Sequence, residues 1–163
     1  MLSLYYGCGL RRSEAVAVDV SDVLFRKRLL YVRKGKNYRE RYVPMTSAII
    51  ADLRTYLYEA RPLLLGKYSS EALLVSNQGR RIEAQSLAIR LKQLLLIAGI
   101  DKPITLHSLR HSIATHLLQS GMKLQYISDF LGHQSLEATQ LYTHIACPSS
   151  TGVAHQSEDE PTS

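Results

Sequence analysis

The chain has 163 residues, 45% of them hydrophobic and 21% charged, which suits one folded domain with a core rather than a disordered chain. No apolar run approaches the roughly 20 residues that span a bilayer, and no charged segment precedes an apolar one at the N-terminus. The only cysteines, Cys8 and Cys147, sit at opposite ends, so a membrane protein, an exported protein and a disulfide framework are not expected, and a reducing cytoplasm is. The formal net charge is +6, and the segment from Ala146 to Ser163 holds Glu158, Asp159 and Glu160 but no Lys or Arg, so residues 1–145 carry +9. That balance suits a polyanion partner.

In chain order, Leu2 to Leu10 is apolar around Tyr5 and Tyr6 and meets its first charges at Arg11, Arg12 and Glu14, which reads as a helix entered midway. Beyond Asp22 come short β-prone runs, Val23 to Phe25, Leu29 to Val32 and Arg41 to Val43, separated by Arg26-Lys27-Arg28 and by a polar turn around Gly35-Lys36-Asn37. Three small antiparallel strands are expected. Thr46 can cap a helix whose apolar positions Ile49, Ile50, Leu53 and Leu57 fall at helical spacing, and Arg61-Pro62 is expected to stop it. Leu73 to Val75 predicts a brief extended piece before the Asn77-Gln78-Gly79 turn, and Leu87, Leu91, Leu94 and Leu95 mark a helix closed by Gly99. Thr105 can cap the next helix, with Leu106, Leu109, Ile113, Leu117 and Leu118 as its buried stripe and Gly121 as its stop. Leu124, Ile127 and Phe130 repeat the arrangement up to Gly132. A last short helix from Ser135 contains Tyr142, and the polar run after it, from Ala146 through Pro148-Ser149-Ser150, has nothing to bury and is expected to be disordered.

In the helix capped by Thr105, His107 and Arg110 are three residues apart and share a face, so the pair can serve one ligand while the leucines face the core. Alone, that spacing is more often a solvated face. Around the pair stand Gly9-Leu10-Arg11 leading to Ser13-Glu14, Gly35-Lys36 in a hairpin turn, His107-Ser108-Leu109-Arg110-His111, Leu131-Gly132-His133 and Tyr142-Thr143-His144. In this order, and with nine residues from His133 to Tyr142, the motifs resemble the tyrosine recombinase, or phage integrase, family. The resemblance implies an α+β, mainly α, catalytic domain over residues 1–145 with a small three-stranded antiparallel sheet, followed by a polar acidic tail over 146–163. It implies Arg11 and Arg110 as the pair gripping the scissile phosphate, with His107 and His133 as supporting hydrogen-bonding residues. Lys36 becomes the hairpin lysine and Tyr142 the nucleophile. The implied activity is site-specific recombination of double-stranded DNA through a covalent 3′-phosphotyrosine, without metal, ATP or other cofactor, by protomers assembled as a tetramer on DNA. Family members carry a helical core-binding domain ahead of this region. The first helix is therefore expected to be cut short, and these residues alone to bind DNA weakly, mainly through phosphates.

The residue types fit that chemistry. Attack on a phosphodiester builds negative charge on the non-bridging oxygens, and guanidinium forks present fixed, always-charged donors to it. A tyrosine phenol, with an unperturbed pKa of about 10, needs nearby cations and an imidazole to favour its phenolate. Lys36, on its turn, can protonate the leaving 5′-oxygen. Eight basic residues between Arg26 and Arg41 face the single acid Glu40, so Arg33, Lys34, Arg39 and Arg41 are expected to touch DNA phosphates. Glu14, one turn from Arg11, can orient it, although an ordinary helix ion pair has the same spacing. His107 and His111 lie four apart, as helical zinc ligands can, but no carboxylate or cysteine completes the set, so no metal is expected. His111, His116 and His144 read as packing residues or as supports behind the site residues. A type IB topoisomerase uses a similar arginine, lysine and tyrosine set, and a non-catalytic DNA-binding fragment would keep the basic surface. The compact step from Leu131 to Tyr142 favours the recombinase over the first, and retention of every catalytic position argues against the second. Charged side chains beside a buried stripe add little to packing, so Arg11→Ala and Arg110→Ala are expected to spare the melting temperature.

Overall fold

The computed structural model describes residues 1–33 and 40–132. Lys34, Lys36, Arg39, His133 and Tyr142, the helix expected from Ser135 and the tail from Ala146 all lie outside the described residues. The N-terminal apolar run is not one helix to Leu10. It makes a π-helical turn, Ser3–Gly7, and Gly9 at φ +59° then redirects the backbone, so that Arg11 caps a separate helix α1 (Arg12–Ala17). The sheet forms as expected from β1 (Val23–Leu24), β2 (Leu29–Val32) and β3 (Arg41–Pro44), antiparallel and in that order, with Leu30 opposite both Val23 and Val43. Phe25 leaves the strand for a 3-10 turn with Arg26 and Lys27, closed by Arg28 at φ 57°. Period-two alternation turns Leu30, Val32 and Val43 to the core, and Arg41, two positions before Val43, shares that side.

Thr46 caps α2 (Ser47–Thr55), its hydroxyl accepting from the Ile49 N–H at 3.4 Å, and Ile49 and Leu53 are buried. Arg61-Pro62 does not stop this helix. It widens into a π-helical turn, Tyr56–Ala60, and resumes as α3 (Arg61–Leu65), which places Pro62 in the first turn of a new segment, where its missing N–H is tolerated. A single bridge, Val75 to Arg81, spans the Asn77-Gln78-Gly79 turn, and a second joins Asp19 to Ala72. Helices α4 (Ala84–Ile97), α5 (Leu106–Gln119) and α6 (Leu124–Leu131) are followed by Gly99, Gly121 and Gly132, each at positive φ.

The main core packs Leu4, Tyr5 and Leu10 with Leu30, Val32 and Val43 of the sheet, Leu53 of α2, and Leu87 and Leu91 of α4. A smaller cluster joins α5 to α6 through Ala114, Ile127 and Leu131. The inner line of α5 is Leu106, Arg110 and Ala114, while Leu109, Ile113, Leu117 and Leu118 are only half-buried. The expected leucine stripe is thus rotated, and the residue at its centre is an arginine. No helix among the described residues is long and apolar enough to cross a membrane.

Candidate active site

Glu14 sits between the two clusters with its carboxylate fully buried. Its Oε2 accepts from the Arg11 backbone N–H at 2.7 Å and from Arg41 Nη2 at 3.0 Å; its Oε1 accepts from Arg11 Nη1 at 3.0 Å and from Arg41 Nη1 at 2.8 Å. Arg110 Nη1 stands 3.7 Å from Oε2. Burial opposes ionisation of Glu14, but the hydrogen bonds and charges of Arg41 and Arg11 outweigh it and hold the carboxyl below its ordinary value. Among the described residues three guanidiniums share this carboxylate, so these four side chains together carry +2.

The same guanidiniums cap α6. The last carbonyls of a helix have no partner within it, and cations are favoured there by the helix dipole. Arg41 Nε donates to the Phe130 carbonyl at 2.7 Å, Arg110 Nη2 and Arg11 Nη1 donate to that of Leu131 at 2.8 and 3.2 Å, and Arg11 donates to that of Gly132 at 3.3 Å. Gly132 ends the helix at φ +65°, and a Cβ there would lie 2.6 Å from Arg41 Nη1. On its other side Arg110 donates to the Gly9 carbonyl, and a Cβ on Gly9 would meet the Phe130 ring at 2.8 Å. Motifs far apart in sequence, Gly9-Leu10-Arg11, Arg110 and Leu131-Gly132, therefore form one contact unit.

Above this unit opens a cleft of about 820 Å³ whose lining includes Arg11, Ser13, Lys92, His107, Arg110 and His111. Thr105 and Ser108 cap α5 reciprocally, the Ser108 N–H donating to Thr105 Oγ1 at 3.0 Å and the Thr105 N–H to Ser108 Oγ at 3.2 Å, which sets His107 in the first turn at the cleft. The Nε2 atoms of His107 and His111 meet at 2.5 Å, a contact that needs one donor and one acceptor. Burial, then the neighbouring His107 and Arg110, lowers the His111 pKa below its ordinary value.

Of the site residues expected from sequence, Arg11, His107 and Arg110 share this cleft and Glu14 lies beneath it. Lys36, His133 and Tyr142 fall outside the described residues. The basic ribbon is not arranged as its charges alone suggest. The Arg41 side chain is only 7% exposed and committed to Glu14, because alternation along β3 turns it inward. Arg33 is paired with Asp19 and Asp22, at 2.6 and 3.0 Å, so its charge is met by carboxylates; Lys34 and Arg39 are not among the described residues. Arg110, expected beside the stripe, is buried within it. Among the described residues, no group of three or more His, Cys, Asp or Glu side chains is placed to hold a metal ion.

The model of the phage integrase family matches residues 1–147. The chain belongs to the phage integrase family. It is 40% identical over 146 residues to the tyrosine recombinase XerC 2 of Ralstonia nicotianae, covering 90% of this chain and 42% of that protein. Identity is 43% to the tyrosine recombinase XerD of Oceanobacillus iheyensis, with 89% and 49% covered. Among solved structures, the XerA recombinase superposes with a TM-score of 0.78 at 34% identity, over 87% of this chain and 51% of that one. The site-specific recombinase XerH, in a post-cleavage complex with its palindromic difH substrate, gives 0.73 at 26% identity, over 89% and 41%. This phage integrase family chain thus spans about half the length of the curated relatives it matches. Its helical fold with a small three-stranded antiparallel sheet is the fold of these recombinases.

Proposed function

We propose that the chain is the catalytic part of a site-specific tyrosine recombinase, which breaks and rejoins double-stranded DNA through a 3′-phosphotyrosine on Tyr142 without metal, ATP or other cofactor. The observation that carries this is the convergence of Arg11 and Arg110 on one cleft over a shared Glu14, with His107 beside them, in a chain of this family. A cluster of charge +2 at a cleft floor attracts a phosphodiester, and its guanidiniums suit the charge that grows on two non-bridging oxygens during attack. In the proposed step the Tyr142 hydroxyl gives up its proton to a neighbouring imidazole as its oxygen bonds to phosphorus, the bond to the 5′-oxygen breaks, and Lys36 supplies the proton that oxygen takes. The tyrosyl ester conserves the bond energy, so the 5′-hydroxyl of another strand can reverse the step. Residues 1–145, with a net charge of +9, hold the duplex mainly through its phosphates, and four protomers on DNA exchange the strands.

The test uses the full gene product and a library of nicked duplexes of random sequence, in which the nick releases the 5′-fragment and traps the intermediate. Wild-type protein should give a protein–DNA adduct in denaturing gels, and Tyr142→Phe none. Arg11→Lys and Arg110→Lys should each slow the adduct by about a hundredfold or more. A wild type that yields no adduct from such a library, or arginine variants as fast as wild type, would overturn the proposal.

A further inference from the structure

We infer that Arg41 is a positioning residue: from β3 it sets the orientation of Glu14, and through it Arg11 and Arg110, and it fixes the end of α6 that leads into His133. The inference rests on the proposed recombinase reaction, since it concerns the same cleft. Arg41 is absent from the cleft lining and its side chain is 7% exposed, so it does not meet a phosphate directly. Yet Arg41, rather than either arginine of the cleft, takes Glu14 in a two-pronged fork, at 2.8 and 3.0 Å. A fork of this kind fixes the plane of the carboxylate as well as its position. With the plane fixed, Oε1 faces Arg11 Nη1 and Oε2 faces the Arg11 backbone, while Arg110 Nη1 is left at 3.7 Å, beyond hydrogen-bond reach. Without the fork the carboxylate can rotate to close that gap, drawing Arg110 toward Glu14 and away from the substrate side.

The third donor, Nε, holds the Phe130 carbonyl at 2.7 Å, and the guanidinium packs against Gly132, where a Cβ would lie 2.6 Å from Nη1. One side chain thus ties the strand that follows Lys36 in sequence to Glu14 and to the residue preceding His133. Lysine at this position keeps the charge but cannot supply a fork and a third, divergent donor together.

Three variants test the inference in the full gene product, each corrected for its folded fraction by circular dichroism. Arg41→Lys removes the fork, Gly132→Ala displaces it while leaving the arginine in place, and Arg41→Gln removes the charge. At saturating nicked random duplex, adduct formation should slow by about tenfold to a hundredfold in all three, because small misplacements of reacting groups cost rate at this level. Duplex affinity should stay within about twofold, and the salt slope of Arg41→Gln should equal that of wild type, whereas loss of a phosphate contact lowers it by about one. Combining Arg41→Lys with Glu14→Gln should slow the reaction no further than the worse single change. Wild-type rates per folded molecule would make Arg41 a residue of the fold alone, a reduced salt slope would make it a phosphate contact, and additive losses would separate it from Glu14. Each of these overturns the inference. A wild type that makes no adduct refutes the recombinase proposal itself, whereas a normal wild type with unaffected variants refutes only the role of Arg41.

Discussion

Replacing Glu14 by Gln preserves the shape of the side chain and removes the negative charge that, among the described residues, three guanidiniums share. Side-chain exposure is 0% at Glu14, 3% at Arg110 and 7% at Arg41, so two of the cations cannot turn to water. Removing one partner of a buried ion pair costs about 3–5 kcal/mol. Arg11, at 28% exposure, can swing outward, and the Gln carbonyl still accepts, which sets the expectation near the low end, about 3 kcal/mol. At roughly 2–4 °C per kcal/mol for a chain of this size, the melting temperature should fall by about 6–12 °C, read by circular dichroism. The pH dependence has a definite sign. The folded carboxyl lies below its ordinary value, so the stabilisation is complete above the unfolded value of about 4.3 and is lost as pH falls through the folded value. The gap between wild type and Glu14→Gln should therefore close on acidification below about pH 4. A shift under about 1 °C at neutral pH, or a gap that survives acidification, refutes the role of Glu14 as the shared counter-charge.

Arg110→Ala should lower the melting temperature as well as abolish adduct formation, since it strips the Arg110 donor from the Gly9 carbonyl at about 1–3 kcal/mol and leaves the Leu131 carbonyl only its longer bond from Arg11; an unchanged melting curve would contradict the burial of Arg110. Lys36→Ala should be slow on an ordinary duplex and recover on one with a 5′-bridging sulfur, whose leaving group needs no proton, while Tyr142→Phe should not; failure to rescue Lys36→Ala would reduce Lys36 to a phosphate contact. Duplex binding should weaken steeply between about 50 and 200 mM salt, and affinity independent of salt would dismiss phosphate contacts as its source.

Much of the scaffold was legible because its signals are local. Thr46 and Thr105 cap the helices they precede, Gly99, Gly121 and Gly132 stand where helices end, and alternating apolar residues mark β2 and β3. Where the structure departs from expectation, the cause is either a local signal outweighed by a stronger one or a partner remote in sequence. Pro62 is an ordinary helix stop unless a π-helical turn precedes it, and nothing in Tyr56 to Ala60 announces one. A lone arginine is seldom buried, which favours Arg110 outside the leucine stripe, yet Leu106 and Ala114, four residues to either side, put it on the inner line. Charge groups Arg41 with the basic ribbon, but its distance of two from Val43 in a strand turns it to the core. Sequence spacing shows Glu14 only its pair with Arg11; its tie to Arg41, 27 residues away, is made by the folded chain.

The most direct test of the proposed reaction is to digest the protein–DNA adduct and locate the nucleotide-bearing residue by mass spectrometry. Of the ten tyrosines in the chain, Tyr142 should carry it, esterified to the 3′-phosphate of the cleaved strand. A nucleotide on any other residue, or attachment through a 5′-phosphate, would contradict the assignment.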